Sequence, residues 1–185
     1  MSQEIWTIGH SNRPWQEFLE LLQDNAIQRL VDIRRFPGSR THPQFNQGPL
    51  EENLTLAGLD YRHLGSLGGR RTDRLPDSPN TGWRVDAFNR YADYMATEPF
   101  QAGLCELETL ARERRTAMMC SEAVPWRCHR RLVADALMTR GWTVFDIVSR
   151  APAKPHSLTP FARVRDGRLS YPAEQQELPL FEREE

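Results

Sequence analysis

Nowhere does the chain approach the roughly 20 consecutive apolar residues that a membrane-crossing helix requires, so no span is expected. Met1-Ser2-Gln3-Glu4 lacks the basic and apolar regions of a secretory signal. Cysteine is scarce: three residues are an odd number and too few to staple a small fold. Together these absences predict a cytoplasmic protein with reduced thiols and no membrane partner. Charge of one sign is lacking as well. A formal net charge of −1 gives no global attraction to nucleic acid, so any such role needs a local basic patch. No internal repeat is visible. What is present, 39% hydrophobic and 26% charged residues over 185 positions, suits one soluble domain with a substantial core.

Short β-branched and aromatic runs alternate with segments of helical periodicity. Glu4-Ile5-Trp6-Thr7-Ile8-Gly9-His10 reads as a first strand. Ser11-Asn12-Arg13-Pro14 supplies a cap candidate and a first-turn proline, after which Trp15, Phe18, Leu19 and Leu22 recur at helical spacing. Leu30-Val31-Asp32-Ile33 reads as a second strand, residues 50–57 as a short helix and 59–64 as a third strand. Residues 65–84, rich in Gly, Pro and Arg, read as a long loop. Residues 86–114 read as helical with a break near Glu98-Pro99, 116–120 as a fourth strand, 125–140 as a helix ended by Gly141, and 142–148 as a fifth strand. Such alternation predicts an α/β fold of three layers, with a mainly parallel five-stranded sheet and helices on both faces. Residues 1–150 form that domain. Ala151-Pro152-Ala153-Lys154-Pro155 reads as a linker into an extension, residues 151–172, packed on the domain. Within it Asp166-Gly167 signals a hairpin between Phe161-Ala162-Arg163-Val164 and Arg168-Leu169-Ser170-Tyr171. Residues 173–185 read as a flexible tail.

In open α/β sheets, ligands bind outside the carboxyl ends of the strands. If the strands run parallel, His10 and Ser11, Arg34 and Arg35, His63, and Cys120 with Glu122 all fall on that edge. Gly68-Gly69-Arg70-Arg71 follows close behind His63. This set predicts a composite pocket. Arg34, Arg35, Arg70 and Arg130, with Ser11, are the candidate anion ligands, because guanidinium forks and helix N-termini suit phosphate and carboxylate. Residues 34–47 are too polar and proline-rich for core and read as a binding loop. Phe36, Phe45, Tyr61, Trp83 and Trp126 lie near the basic segments, where aromatic rings can stack nucleobases or, equally, serve the core.

The stretch from Met118 to Arg131 concentrates two thiols, a carboxylate, an imidazole and guanidiniums where a strand gives way to a helix. Three readings stay open. In the first, arginines hold Cys120 as a thiolate nucleophile and Glu122, His10 or His129 moves protons. Against it, six residues separate Cys120 from Arg127, where familiar thiol phosphatase and sulfurtransferase loops are shorter and contain glycine. In the second, Cys120, Cys128 and His129 bind a metal, with His10 completing a tetrahedron. Against it, adjacent residues on a helix point about 100° apart, and no Cys-x-x-Cys pair is present. In the third, Cys128 packs beneath the sheet with Leu132 and Ala136, His129 caps a carbonyl, and Glu122 pairs with Arg130. Cys105 is then core beside Leu104 and Leu107. The candidate catalytic residues are Cys120, Glu122, His10 and His129. No metal and no other cofactor is expected, and Cys128 is assigned to packing.

Taken in order, Thr7-Ile8-Gly9-His10-Ser11, the Val31-Asp32-Ile33-Arg34-Arg35-Phe36-Pro37 stretch, Pro43-Gln44-Phe45-Asn46, Leu67-Gly68-Gly69-Arg70, and Cys120-Ser121-Glu122 with Cys128-His129-Arg130 resemble the bacterial family known as domain of unknown function DUF488. The likeness runs from about Ile5 to Tyr171. It implies a compact α/β domain with His10, Arg34, Arg35, Gly68, Gly69, Cys120, Glu122, Cys128, His129 and Arg130 as motif residues. It implies no reaction.

One further motif lies in the tail. Gln176, Leu178, Leu180 and Phe181 resemble the short peptides that bacterial replication and repair proteins insert into the sliding clamp. The expected function is an enzyme or binding protein for a phosphate-bearing ligand, a nucleic acid or nucleotide, in DNA maintenance. The alternatives are a non-catalytic adaptor recruited by the clamp and a thiol-dependent sulfurtransferase or redox protein.

Overall fold

Short strands buried on both faces build the sheet. The computed structural model describes residues 3–173. Strands β1 (Glu4–Gly9), β2 (Arg29–Asp32), β3 (Asp60–His63), β4 (Thr116–Cys120) and β5 (Thr143–Ile147) pair in parallel. A sixth strand, β6 (Lys154–Pro155), pairs antiparallel with β5. The segment expected as a linker therefore closes one sheet edge. Proline is tolerated there because an edge strand needs only one side of its backbone for pairing. The order is β3-β2-β4-β1-β5-β6, so the fold is α/β with a mostly parallel sheet of six strands rather than five.

Successive residues on each strand serve opposite faces. Trp6, Ile8, Leu30, Ala117, Met119 and Ile147 join one core with α1 (Trp15–Asp24) and α2 (Gln47–Leu56). Ile5, Val31, Met118, Cys120 and Val144 join the other with α3 (Asp86–Tyr94), α4 (Glu98–Glu113) and α5 (Arg130–Thr139). The break expected near Glu98-Pro99 separates α3 from α4, and Pro99 occupies the first turn of α4, where its missing N–H costs nothing. Helix α1 opens at Pro14, so the cap candidate Ser11 lies outside it. The helix expected from Pro125 is interrupted as well. A 3₁₀ turn covers Pro125–Arg127, Cys128 is extended at φ −133° and ψ 145°, and α5 begins only at Arg130.

The order of the strands locates a crevice. The chain leaves β1 toward α1 on one face and leaves β4 toward α5 on the other, while β1 and β4 are neighbours. Adjacent strands whose connections depart on opposite faces open a gap at their carboxyl ends. Gly9 pairs with Cys120 at that place.

Beyond β6 the chain forms the hairpin β7 (Arg163–Arg165) and β8 (Arg168–Ser170), turned by Asp166 and Gly167 at φ 50° and 72°. Tyr171 follows and is fully buried. Its backbone N–H donates to Asn80 Oδ1, its hydroxyl donates to Asp135 Oδ2, and its ring packs on Trp83. Gln176, Leu178, Leu180 and Phe181, the expected clamp-binding residues, lie outside the described residues.

Candidate functional site

Gly9 is the keystone of the crevice. A Cβ there would stand 1.7 Å from the Glu122 carbonyl oxygen, so only glycine lets the segment after β4 fold back across β1. His10 and Ser11 continue the contact through backbone bonds to Cys120 and Ser121 carbonyls. Arg130, 0% exposed, fastens this segment from behind. Its guanidinium donates to the Glu122 and Ala123 carbonyls and to Thr7 Oγ1. The expected Glu122–Arg130 ion pair is therefore a bond to the Glu122 backbone. Arg130 does not line the cavity in front, so it acts as a fastener of this segment.

Arg34 is also committed. Asp32 receives its Nε and Nη2, the Phe45 carbonyl receives Nη2 again, and Tyr61 braces the same carboxylate. Its Nη1 reaches His10 Nε2 at 3.2 Å. His10 Nδ1 lies 2.8 Å from the Ser11 carbonyl, which only accepts, so Nδ1 carries the proton and Nε2 the lone pair. Burial pulls His10 down to about 4. Neutral, with both nitrogens in contact and the ring stacked on Phe45 at 4.4 Å, His10 orients Arg34.

Cys120, Cys128 and His129 come together opposite. Extended Cys128 and the helix-entry conformation of His129 turn both side chains toward Cys120, which removes the 100° objection raised by a continuous helix. His129 Nδ1 lies 3.7 Å from Cys120 Sγ and 3.8 Å from Cys128 Sγ. Its Nε2 lies 3.3 Å from the Ile33 carbonyl, so Nε2 bears the proton and Nδ1 faces the sulfurs with its lone pair. The Cys128 thiol holds Cys120 well below the ordinary thiol range against the opposing effect of burial, with Arg130 adding to it. Burial pushes Cys128 the other way. These three are the residues able to hold a metal, since their donor atoms lie within 4.8 Å of one another. Cys105, expected in the core, is exposed and apart.

A cavity of about 540 Å³ opens over this cluster. His10, Ser11, Arg34, Arg35, Arg70, Cys120, Glu122 and His129, all expected from sequence, line it. So do His42, from the expected binding loop, and Arg127 and Tyr91, which carried no expected role. Tyr91 comes from α3 and meets the His129 ring edge-on at 5.0 Å; on sequence it is one more aromatic of a helix face. Gly69 packs flat against His129, where a Cβ would fall 2.9 Å from Nδ1. His63 instead holds the Arg34 carbonyl and stays off the cavity wall. Of the loop 34–47, Phe36, Gly38, Ser39 and His42 face the cavity while Phe45 is core. Among the aromatics proposed for stacking, Phe36 is 63% and Trp126 57% exposed, whereas Phe45, Tyr61 and Trp83 are buried.

Every cation on the wall is arginine, and Lys154 is the sole lysine of the chain. Among the described residues, Arg35, Arg70 and Arg127 form no ion pair with a carboxylate. Arg35 Nη1 holds the Arg70 carbonyl at 2.8 Å, which ties two of them together. Ser11 and Arg70 both hold left-handed φ, 50° and 58°, a strained conformation that concentrates at functional sites.

No curated protein and no solved structure gives a significant match to the chain. The family described as domain of unknown function DUF488 matches residues 14–137, from the start of α1 to the last turn of α5, and the chain belongs to that family.

Proposed function

We propose that the protein is an enzyme acting on a phosphate-bearing ligand, a nucleotide or a nucleic-acid strand, bound in the cavity with its reacting group over the Cys120–His129 cluster. The observation that carries this reading is the set of three arginines without carboxylate partners, Arg35, Arg70 and Arg127, around one cavity. Unpaired guanidinium forks favour phosphate oxygens, and each bidentate contact adds direction as well as charge. Arg34, neutralised by Asp32, contributes a directed Nη1 donor more than net charge. The cavity volume lies within the range of small-molecule sites and admits a nucleotide. Exposed Phe36 in the wall, and Trp126 beside Arg127, offer faces on which a base can stack. Glu122, a carboxylate in the same wall, is the candidate proton acceptor.

Binding of a fluorescent single-stranded oligonucleotide, with a nucleoside triphosphate as competitor, tests the reading as salt is raised. Affinity is expected to fall steadily with salt, and Arg35→Ala or Arg127→Ala to reduce the logarithmic slope by about 1 each. A flat salt response, or no binding of either probe, contradicts it. The adaptor alternative rests on Gln176 to Phe181 and draws no support from the cavity.

A further inference from the structure

We infer that Cys120, Cys128 and His129 form a zinc site with its fourth coordination position open to the cavity. A tetrahedral zinc ion with Zn–S near 2.3 Å and Zn–N near 2.0 Å sets its sulfurs about 3.8 Å apart and each sulfur about 3.5 Å from the nitrogen. The two sulfur–nitrogen separations here are 3.7 and 3.8 Å, and no pair of the three donor atoms exceeds 4.8 Å. Closure of a few tenths of an ångström on each sulfur–nitrogen pair, and of no more than about 1 Å between the sulfurs, completes the tripod around an ion. Three donor groups have thus converged near ligand spacing.

The surroundings fit a ligand set rather than a packing accident. His129 presents Nδ1 because its Nε2 proton is spent on the Ile33 carbonyl, the outer contact that fixes the tautomer of metal-bound histidines. Gly69 clamps the ring from one side and Tyr91 meets its edge. Two thiolates and a neutral imidazole balance a divalent cation, and soft sulfur favours zinc over magnesium or calcium. His10, the expected fourth ligand, has both nitrogens occupied. With no fourth protein ligand in the group among the described residues and all three ligands on the cavity wall, the open position faces the cavity. Closed structural zinc sites have four protein ligands, while three ligands and a water mark reactive ones.

The test uses the full chain, produced with added zinc and purified without chelator. Elemental analysis is expected to find about one zinc per chain. After removal of the metal, cobalt titration is expected to yield the intense visible bands of a tetrahedral thiolate complex. Cys128→Ser and His129→Ala are expected to lose metal and colour, while Cys105→Ser keeps both. Absence of zinc and of cobalt colour in the unaltered protein overturns the inference, whatever the variants do. So does full metal retention by Cys128→Ser with a native circular dichroism spectrum. Oligonucleotide binding measured on the same samples separates the two proposals: metal without binding contradicts only the phosphate reading, and binding without metal contradicts only the zinc site.

Discussion

Two buried histidine clusters flank α5, and they differ in what they leave unused. His156 donates from Nδ1 to Asp146 Oδ2 at 2.7 Å, and its Nε2 lies 3.5 Å from Asp135 Oδ1, an ionic contact too long for a good hydrogen bond. Asp135 also receives the Thr159 N–H and hydroxyl and the Tyr171 hydroxyl. One imidazolium there faces two carboxylates, and the result pins the C-terminal extension to α5 and β5. His129 sits at the other end of α5 beside two thiols, with a lone pair aimed at sulfur and a cavity in front. Buried Arg130 at its back has no carboxylate ion pair among the described residues. The clusters even touch: Thr7 accepts from Arg130 and donates to Asp146. A histidine held between two carboxylates under the C-terminal extension is a clamp, whereas one facing two thiols beside a cavity is the candidate site.

The sharpest way to break that contrast is to cut the clamp. Asp135→Ala strands His156, Thr159 and Tyr171 without their acceptor. It is expected to lower stability by about 3–5 kcal/mol, measured as the urea midpoint with constant slope. The pH dependence comes next. Burial opposes the charge on His156, but Asp135 and Asp146 outweigh it and lift the group from 6.5 to about 9. A raised folded value means that the stabilisation is complete below the unfolded value and is lost as pH climbs from about 6.5 through 9. Unfolding of the unaltered protein at pH 6 and at pH 9.5 is expected to differ by about 3 kcal/mol more than that of His156→Gln. On the cavity side, Gly69→Ala pushes a methyl against the His129 ring and is expected to cost about 1–3 kcal/mol by thermal unfolding while displacing the ring from the sulfurs. Smallest in stability is Arg127→Ala, expected within about 0.5 kcal/mol of the parent, although oligonucleotide affinity falls. If Arg127→Ala proves as damaging to the fold as Asp135→Ala, the distinction between clamp and site is lost.

Much of this was legible in the sequence because it depends on local pattern. The alternation of strands and helices, the hairpin at Asp166-Gly167 and the gathering of His10, Arg34, Cys120 and Glu122 at one sheet edge follow from periodicity and the parallel-sheet rule. What escaped depends on conformation over one or two residues, or on partners far along the chain. Cys128 reads as helical because Leu132 and Ala136 follow at helical spacing, yet Pro125 sets a 3₁₀ turn that leaves Cys128 extended. Lys154-Pro155 looks like a linker, since nothing local reveals an unpaired β5 edge. The tie of Arg34 to Asp32 was within reach, being two residues apart, but its consequence for anion binding needs the observed bond. Arg130, grouped on sequence with the binding arginines, takes its role from carbonyls that only the fold presents. His156 drew no attention because its carboxylate partners lie 10 and 21 residues away on other elements.

Hydrogen exchange of the full chain, with and without a saturating single-stranded oligonucleotide, tests the central claim most directly. The account predicts slowed exchange in residues 34–42, 69–71 and 121–129, with residues 154–171 unchanged. Protection of 154–171 in place of the cavity segments, or no protection at any of them, contradicts it.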